Sequence, residues 1–442
     1  MCYANAVKKS KVFDRLIEEL SEVFEKLPDY RSGVNTRYEI KDAVVSAFSV
    51  FFTQSPSFLA WQRNLQKKKG KNNLMKLFGV AEIPTDPQIR NLLEPLEPSR
   101  LSSLFPYALK LLEEHGGMAN YTSYAGQTLI SLDGTETISS QNINCKNCSH
   151  RELRNGETQY FHSAILPVIV KSGNPKVLPL FPEFITPQDG HEKQDCERAA
   201  TKRWVDRNKH ALKGWRYTIL GDDLYSNQPL CEAFLEAEMN FILGCKQDSH
   251  KELYKTVDFL DKNGLLEEVV ERHWNGRYYE NHTYRFVNEV PLRQDNPLLV
   301  NWFEVIITNE RTEEKDYHNS FATNHSIQAD NVAALAQDGR TRWKSENETN
   351  NTLKNQGYHF EHNFGHGEEY LANFLATLNL LAFLLHTLLD LVDEQYQLLR
   401  KELVTRVDFF NDIRALLRYM VFDNWEALMV FMLRALEVPG YI

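Results

Sequence analysis

Cysteine is scarce in this chain, six in 442 residues. That is too few for a secreted scaffold built on disulfides. No positively charged segment followed by an apolar core opens the sequence, so a reducing, cytoplasmic setting is expected. Glycine and proline are also few, 20 and 16, which excludes collagen-like and linker-dominated chains. Positive charge is not in excess. Lysine and arginine number 50 against 60 aspartates and glutamates, a net charge of −10. A surface uniformly coated for nucleic acid is excluded; a local basic face is not. Only one apolar stretch has membrane-spanning length, Leu371 to Val392. It is interrupted by Asn373, Asn379, His386 and Asp390, polar groups that are costly in a bilayer. It reads as a helix buried in a large domain, with no membrane partner expected. There is no internal repeat.

What is present is a globular composition, 42% hydrophobic and 25% charged, at a length that predicts two or three domains. Residues 1–120 read as helical. Phe13, Leu16, Ile17, Leu20, Val23 and Phe24 make a helix-period stripe, and Thr85-Asp86-Pro87-Gln88 is a helix start. From residue 121 to 245 the pattern turns to strands: Gln127–Leu132, Gln159–Val170, Lys176–Phe181, then a charged helix over 192–211, a strand Arg216–Gly221, a helix, and a strand Asn240–Gly244. Three strands, helix, strand, helix, strand is the order of an α/β ribonuclease-H-like sheet flanked by helices. Residues 246–335 read as a β-rich insertion, and 336–442 as a helical completion of the core.

The chemistry-bearing residues are carboxylates. Asp133 follows the apolar run Thr128–Leu132, and Asp222 follows Tyr217–Gly221; each sits at a strand end. Later, Arg342, Glu346 and Lys354 share a helical stripe at i, i+4 and i+12. Two strand-end aspartates and a glutamate offer the oxygen ligands that hard Mg²⁺ prefers. A pair of such ions about 3.5–4 Å apart clamps the attacking and leaving oxygens of a phosphoryl transfer. Asp223 and Glu348 are the neighbours that could substitute. Alternation along a strand favours only one of Asp222 and Asp223, and a two-residue helical step turns Glu348 away from Glu346.

Asp133-Gly134-Thr135, Asp222 with Tyr225-Ser226, and Arg342-Trp343-Lys344-Ser345-Glu346 resemble the three motifs of bacterial insertion-sequence DDE transposases, in the subgroup with a β-strand insertion before the final glutamate. The resemblance spans residues 125–400. The family signature is tyrosine, two residues, arginine, three residues, glutamate, six residues, lysine. Here Gly339 stands at the tyrosine position, and the lysine is displaced by one, with Leu353 at its place and Lys354 next. The resemblance implies that Asp133, Asp222 and Glu346 ligate two Mg²⁺ (or Mn²⁺) ions. It assigns Arg342, Lys354 and Tyr225 to positioning DNA phosphates. The enzyme implied cuts transposon-end phosphodiesters and joins the freed 3′-hydroxyl to target DNA. It also implies a homodimer on double-stranded DNA (terminal inverted repeats and target), in the bacterial cytoplasm at the nucleoid, with residues 1–120 as a DNA-binding region. The alternatives are a ribonuclease-H-like nuclease or resolvase without strand transfer, and a domesticated DNA-binding protein without catalysis.

Three further patterns stand apart. Cys145-Lys146-Asn147-Cys148 has the spacing of a zinc knuckle, for which His191 and Cys196 are the candidate second pair. His362 and His366 are four residues apart, but Gly365 and Gly367 break the helix this spacing needs, so the segment reads as a turn that could touch DNA backbone. The cluster Lys67–Lys71 and the run Arg198, Lys202, Arg203, Arg207, Lys209, Lys213, Arg216 are candidate phosphate-binding surfaces, and Trp204, Trp215 and Trp343 read as core aromatics.

Overall fold

The computed structural model describes residues 12–33, 36–187, 193–210, 212 and 216–441. His191, Lys213 and Trp215 lie outside these. The N-terminal helices are α1 (Val12–Glu25), α2 (Ile40–Phe52), α3 (Phe58–Leu65), α4 (Lys68–Phe78), α5 (Asp86–Leu93) and α6 (Leu104–Glu114). Local signals set their ends. The Ser57 side chain accepts the Ala60 amide at the start of α3, and Thr85 and Gln88 close a reciprocal cap on α5. The stripe foreseen in α1 is buried through Phe13, Leu16, Leu20 and Phe24.

The strands are β1 (Thr128–Ser131), β2 (Gly134–Ser140), β3 (Ser149–Glu152), β4 (Thr158–Ile165), β5 (Val168–Val170), β6 (Leu178–Pro179), β7 (Glu183–Ile185), β8 (Tyr217–Gly221), β9 (Asn240–Gly244), β10 (Glu267–Trp274), β11 (Tyr279–Pro291), β12 (Leu299–Asn309) and β13 (Lys315–Thr323). The run expected as one strand over Gln159–Val170 is two, β4 and β5. They part at Pro167, which has no amide to give a ladder, and pair into different sheets. The large sheet runs β10-β11-β12-β13-β9-β8-β1-β5-β6. Within it β1, β8 and β9 are parallel and the other pairs antiparallel. Without β10–β13, the order β6-β5-β1-β8-β9 is that of a ribonuclease-H-like core. A small second sheet, β2-β4-β3 with β7 on β4, hangs below it.

The helices between and after the strands are α7 (Lys193–Asn208), α8 (Gln228–Glu236), α9 (Lys251–Lys262), α10 (Val332–Arg340), α11 (Asn351–Asn355), α12 (Leu371–Val392), α13 (Glu394–Glu402), α14 (Arg406–Tyr419) and α15 (Trp425–Ala435). The segment 246–335 is not wholly β. It opens with α9, and its four strands extend the central sheet, because β13 pairs with β9 through Phe321↔Gly244 and Thr323↔Ile242.

Helix α12 is the axis of the helical part and packs against α1, α2, α5 and α6. Among the described residues it is the one helix long and apolar enough to cross a membrane, and 83% of its apolar window is buried. Its polar groups have protein partners: Asn379 donates to the Tyr358 carbonyl, and His386 meets the Tyr358 hydroxyl and the Phe52 carbonyl. The N-terminal and C-terminal helices share one core. Phe13 stacks on Trp425 at 4.5 Å, and the Asn73 amide donates to the Leu417 carbonyl.

Candidate active site

The parallel pairing of β1 and β8 sets Ser131 opposite Leu220. Continued by two residues, that register puts Asp133 beside Asp222 at the carboxyl ends of neighbouring strands, with both side chains on one face of the sheet. Two glycines beside the aspartates leave room for neighbouring side chains. A Cβ on Gly134 would lie 2.8 Å from the Glu197 carboxylate carbon, and one on Gly221 would lie 2.9 Å from the Tyr225 ring.

Glu346 reaches the site from a continuous but irregular helical segment. α10 tightens to a 3₁₀ turn at Thr341–Trp343, widens to a π-helix over Ser345–Asn350, and resumes as α11. π-Helical stretches concentrate at functional sites because they re-aim side chains that a regular α-helix would point elsewhere. Here Glu346 pairs with Arg342 at 3.0 Å, and the Asn350 amide donates to the Asp133 carboxylate at 3.1 Å.

Charge binds these groups into one site. Burial pushes the Asp133 carboxyl up to about 6; Arg342 opposes the rise, and the neighbouring carboxylates Glu346, Asp222 and Glu197 add to it. The structure thus gathers the three sequence-predicted carboxylates into one electrostatic neighbourhood. It also brings in Asn350 and Glu197, which sequence reasoning missed. Glu197 stands among the basic residues of α7. It is buried at 8% exposure and packs on Gly134. Its signal was its place on a helix that leads into the second aspartate.

Asp223 faces elsewhere. It accepts the Lys246 amide at 2.6 Å and the Ser249 hydroxyl at 2.5 Å, and pairs with His250 at 3.3 Å. Burial works against the Asp223 charge, but His250, Ser249 and the Lys246 amide outweigh it and hold the carboxyl below its usual range. Burial would also discharge His250, yet the Asp223 contact and the surrounding acceptors keep it protonated, up to about 11.

Several expected roles change. Tyr225 is 1% exposed, with its ring against Gly221. It supports the carboxylates from beneath and presents no surface to phosphate. Gly339, at the signature's tyrosine position, packs so closely on Phe321 and Ile242 that a Cβ would lie 2.9 Å from the Phe321 ring. Lys354 is paired with Glu361 at 2.7 Å. The basic run on α7 is partly engaged inside the protein, since Arg203 and Arg207 both bind the buried Glu183 carboxylate, at 2.8 and 2.6 Å. Trp204 is core, but Trp343 is 45% exposed, beside Arg342 and three residues before Glu346.

The zinc expectation is redrawn. Cys145 and Cys148 do face one another, but the histidines beside them are His162, on β4, and His366, between α11 and α12. Cys196 lies on α7, outside this cluster. The missed signal was His366, which had been set aside because glycines flank it. Those glycines form the loop that turns it inward, and Gly367 has a φ of +67°. A scan against protein-family models finds no match to this chain, and a search of curated proteins finds none either.

Proposed function

We propose that this protein is a DDE transposase, which cleaves the ends of a mobile DNA element and transfers the 3′-hydroxyl into target DNA. The observation that carries the reading is the parallel pairing of β1 with β8, from whose neighbouring carboxyl ends the chain runs on to Asp133 and Asp222, with Glu346 and Asp222 both acting on the Asp133 carboxyl. The donor set fits hard divalent cations: carboxylates only, one of them lifted toward neutrality by burial and then by its carboxylate neighbours, a penalty that a bound cation would relieve. Asp133, Asp222 and Glu346 would hold Mg²⁺ or Mn²⁺. Such ions, when bound, supply Lewis-acid charge to a phosphodiester and ease deprotonation of water or a hydroxyl.

The rest of the work falls to the chain. Asp133 and Asp222 present oxygens from a rigid sheet edge, which fixes their spacing. The Asn350 amide holds one Asp133 oxygen in place. Arg342, tethered to Glu346, is a cation with further guanidinium donors for a phosphate. Trp343 offers an exposed ring on which an unpaired base can stack. Action on paired DNA ends, as a homodimer at the nucleoid, belongs to the same proposal.

The test uses full-length protein, Mg²⁺, and duplex DNA carrying the sequences that flank its coding region. Wild type should nick the ends and join them to a second duplex. Asp222→Ala and Glu346→Ala should do neither, while still shifting the DNA in a gel. Cleavage without joining would point instead to a hydrolytic nuclease. Cleavage surviving Asp222→Ala would refute the site.

A further inference from the structure

We propose that Cys145, Cys148, His162 and His366 hold a structural zinc ion that fastens the Asp133 side of the site to the segment following Glu346. The four ligand atoms lie within 4.8 Å of one another. Cys145 Sγ is 3.8 Å from Cys148 Sγ and 3.3 Å from His162 Nε2, and Cys148 Sγ is 3.2 Å from His366 Nε2. With bonds of about 2.3 Å to sulfur and 2.0–2.1 Å to nitrogen, a zinc tetrahedron has edges of about 3.8 Å between sulfurs and about 3.5 Å from sulfur to nitrogen. These three edges are within a few tenths of an ångström of those values, and all six lie under 4.8 Å.

The surroundings are also those of a metal site. Each histidine spends its other ring nitrogen on an oxygen acceptor. His162 Nδ1 meets the Asn373 side-chain oxygen at 2.9 Å, and His366 Nδ1 meets the Gly367 carbonyl at 2.6 Å. Both contacts leave Nε2 free to face the sulfurs, the tautomer-fixing arrangement that metal-bound histidines use. The two sulfurs accept backbone amides, Cys148 Sγ from Cys145 and Cys145 Sγ from Asn147, each at 3.4 Å. Such donors stabilise thiolate. Four protein ligands complete a tetrahedron, three of them buried, so no position is left for a substrate and the role is structural.

The ligands come from three separate places. The knuckle lies between β2 and β3, and β2 begins one residue after Asp133. His162 is in the middle of β4. His366 lies between α11, which continues from Glu346, and α12. Nearby, Asn147 donates to the Glu369 carbonyl at 2.7 Å, and Lys146 pairs with the Glu369 carboxylate at 3.0 Å. A zinc ion here would tie the loop after β2, and so the Asp133 side of the site, to the connection 356–370 that follows Glu346.

The test needs no DNA and does not depend on the transposase reading. Full-length protein carrying a tag without histidine is purified without chelator, and its metals are measured by mass spectrometry. One zinc per chain is expected. The double variant Cys145→Ser/Cys148→Ser should lose it, and Cys196→Ser should keep it. His366→Cys conserves four ligands and guards against variants that fail to fold. It should retain the metal and, after Co²⁺ exchange, show a stronger thiolate-to-metal charge-transfer band than wild type while keeping tetrahedral visible bands. Folded protein without metal, a Cys145–Cys148 disulfide in its place, or zinc retained by the double variant would overturn the proposal.

Discussion

Asp133→Asn should stabilise the metal-free protein, and the gain should appear only as pH rises. In the folded chain the Asp133 carboxyl titrates near 6, against an ordinary 3.8, chiefly because it is buried and then because Glu346, Asp222 and Glu197 surround it. Between those two values the folded state holds more protons than the unfolded one, so wild-type stability falls as pH climbs from about 4 to about 6. The full difference is about 3 kcal/mol at ~1.36 kcal/mol per pH unit. With ~2.1 cal/mol/K of unfolding entropy per residue, a chain of 442 residues converts this to about 3 °C. The assay is differential scanning fluorimetry with EDTA, wild type against Asp133→Asn, from pH 4 to pH 7.5. The variant's advantage, referenced to its value at pH 4, should grow to about 2–3 °C by pH 6.5 and then level off. Millimolar Mg²⁺ should stabilise the wild type by about 2.7 kcal/mol at a hundredfold excess over Kd, a rise of about 3 °C in Tm at ~2.1 cal/mol/K per residue, and leave the variant nearly unmoved. A pH-independent difference would refute the claim that burial and its carboxylate neighbours raise the Asp133 carboxyl.

Other outcomes follow from the same geometry. Asp223→Ala removes the acceptor for Lys246, Ser249 and His250 and should cost about 2–3 kcal/mol in chemical denaturation. Asp222→Ala should leave stability nearly unchanged and remove cleavage. Gly339→Ala should be destabilising by about 1–3 kcal/mol even though alanine is the better helix former, because the new Cβ meets Phe321 at 2.9 Å and that ring is stacked on Phe303. Trp343→Ala, at an exposed position, should leave the Tm unchanged and weaken binding of DNA with frayed ends by about 1–3 kcal/mol, read by fluorescence anisotropy.

Much of this arrangement was legible in the residues. β1, β8 and β9 are short and largely apolar, so their strand character is local, and the aspartates within two residues of the ends of β1 and β8 mark the sheet edge. The stripe of α1 and the capping residues of α5 are equally local. What stayed hidden depended on tertiary placement. Glu197 looks like any charge on a polar helix until α7 packs it onto Gly134. The π-helical widening at Ser345–Asn350 has no spacing signature, yet it brings Asn350 to Asp133. The insertion read as β-rich, but the docking of its strands onto β9 could not be read from periodicity. The knuckle was visible as a pair of cysteines. Its histidines lie 14 and 218 residues beyond Cys148, and only the folded chain brings them together.

The central claim is that Asp133, Asp222 and Glu346 form one divalent-cation site. Anomalous diffraction from crystals soaked in Mn²⁺ tests it most directly. The expected result is two peaks about 3.5–4 Å apart, held by oxygens of Asp133, Asp222 and Glu346. Peaks at other carboxylates, with these three side chains unligated, would contradict it.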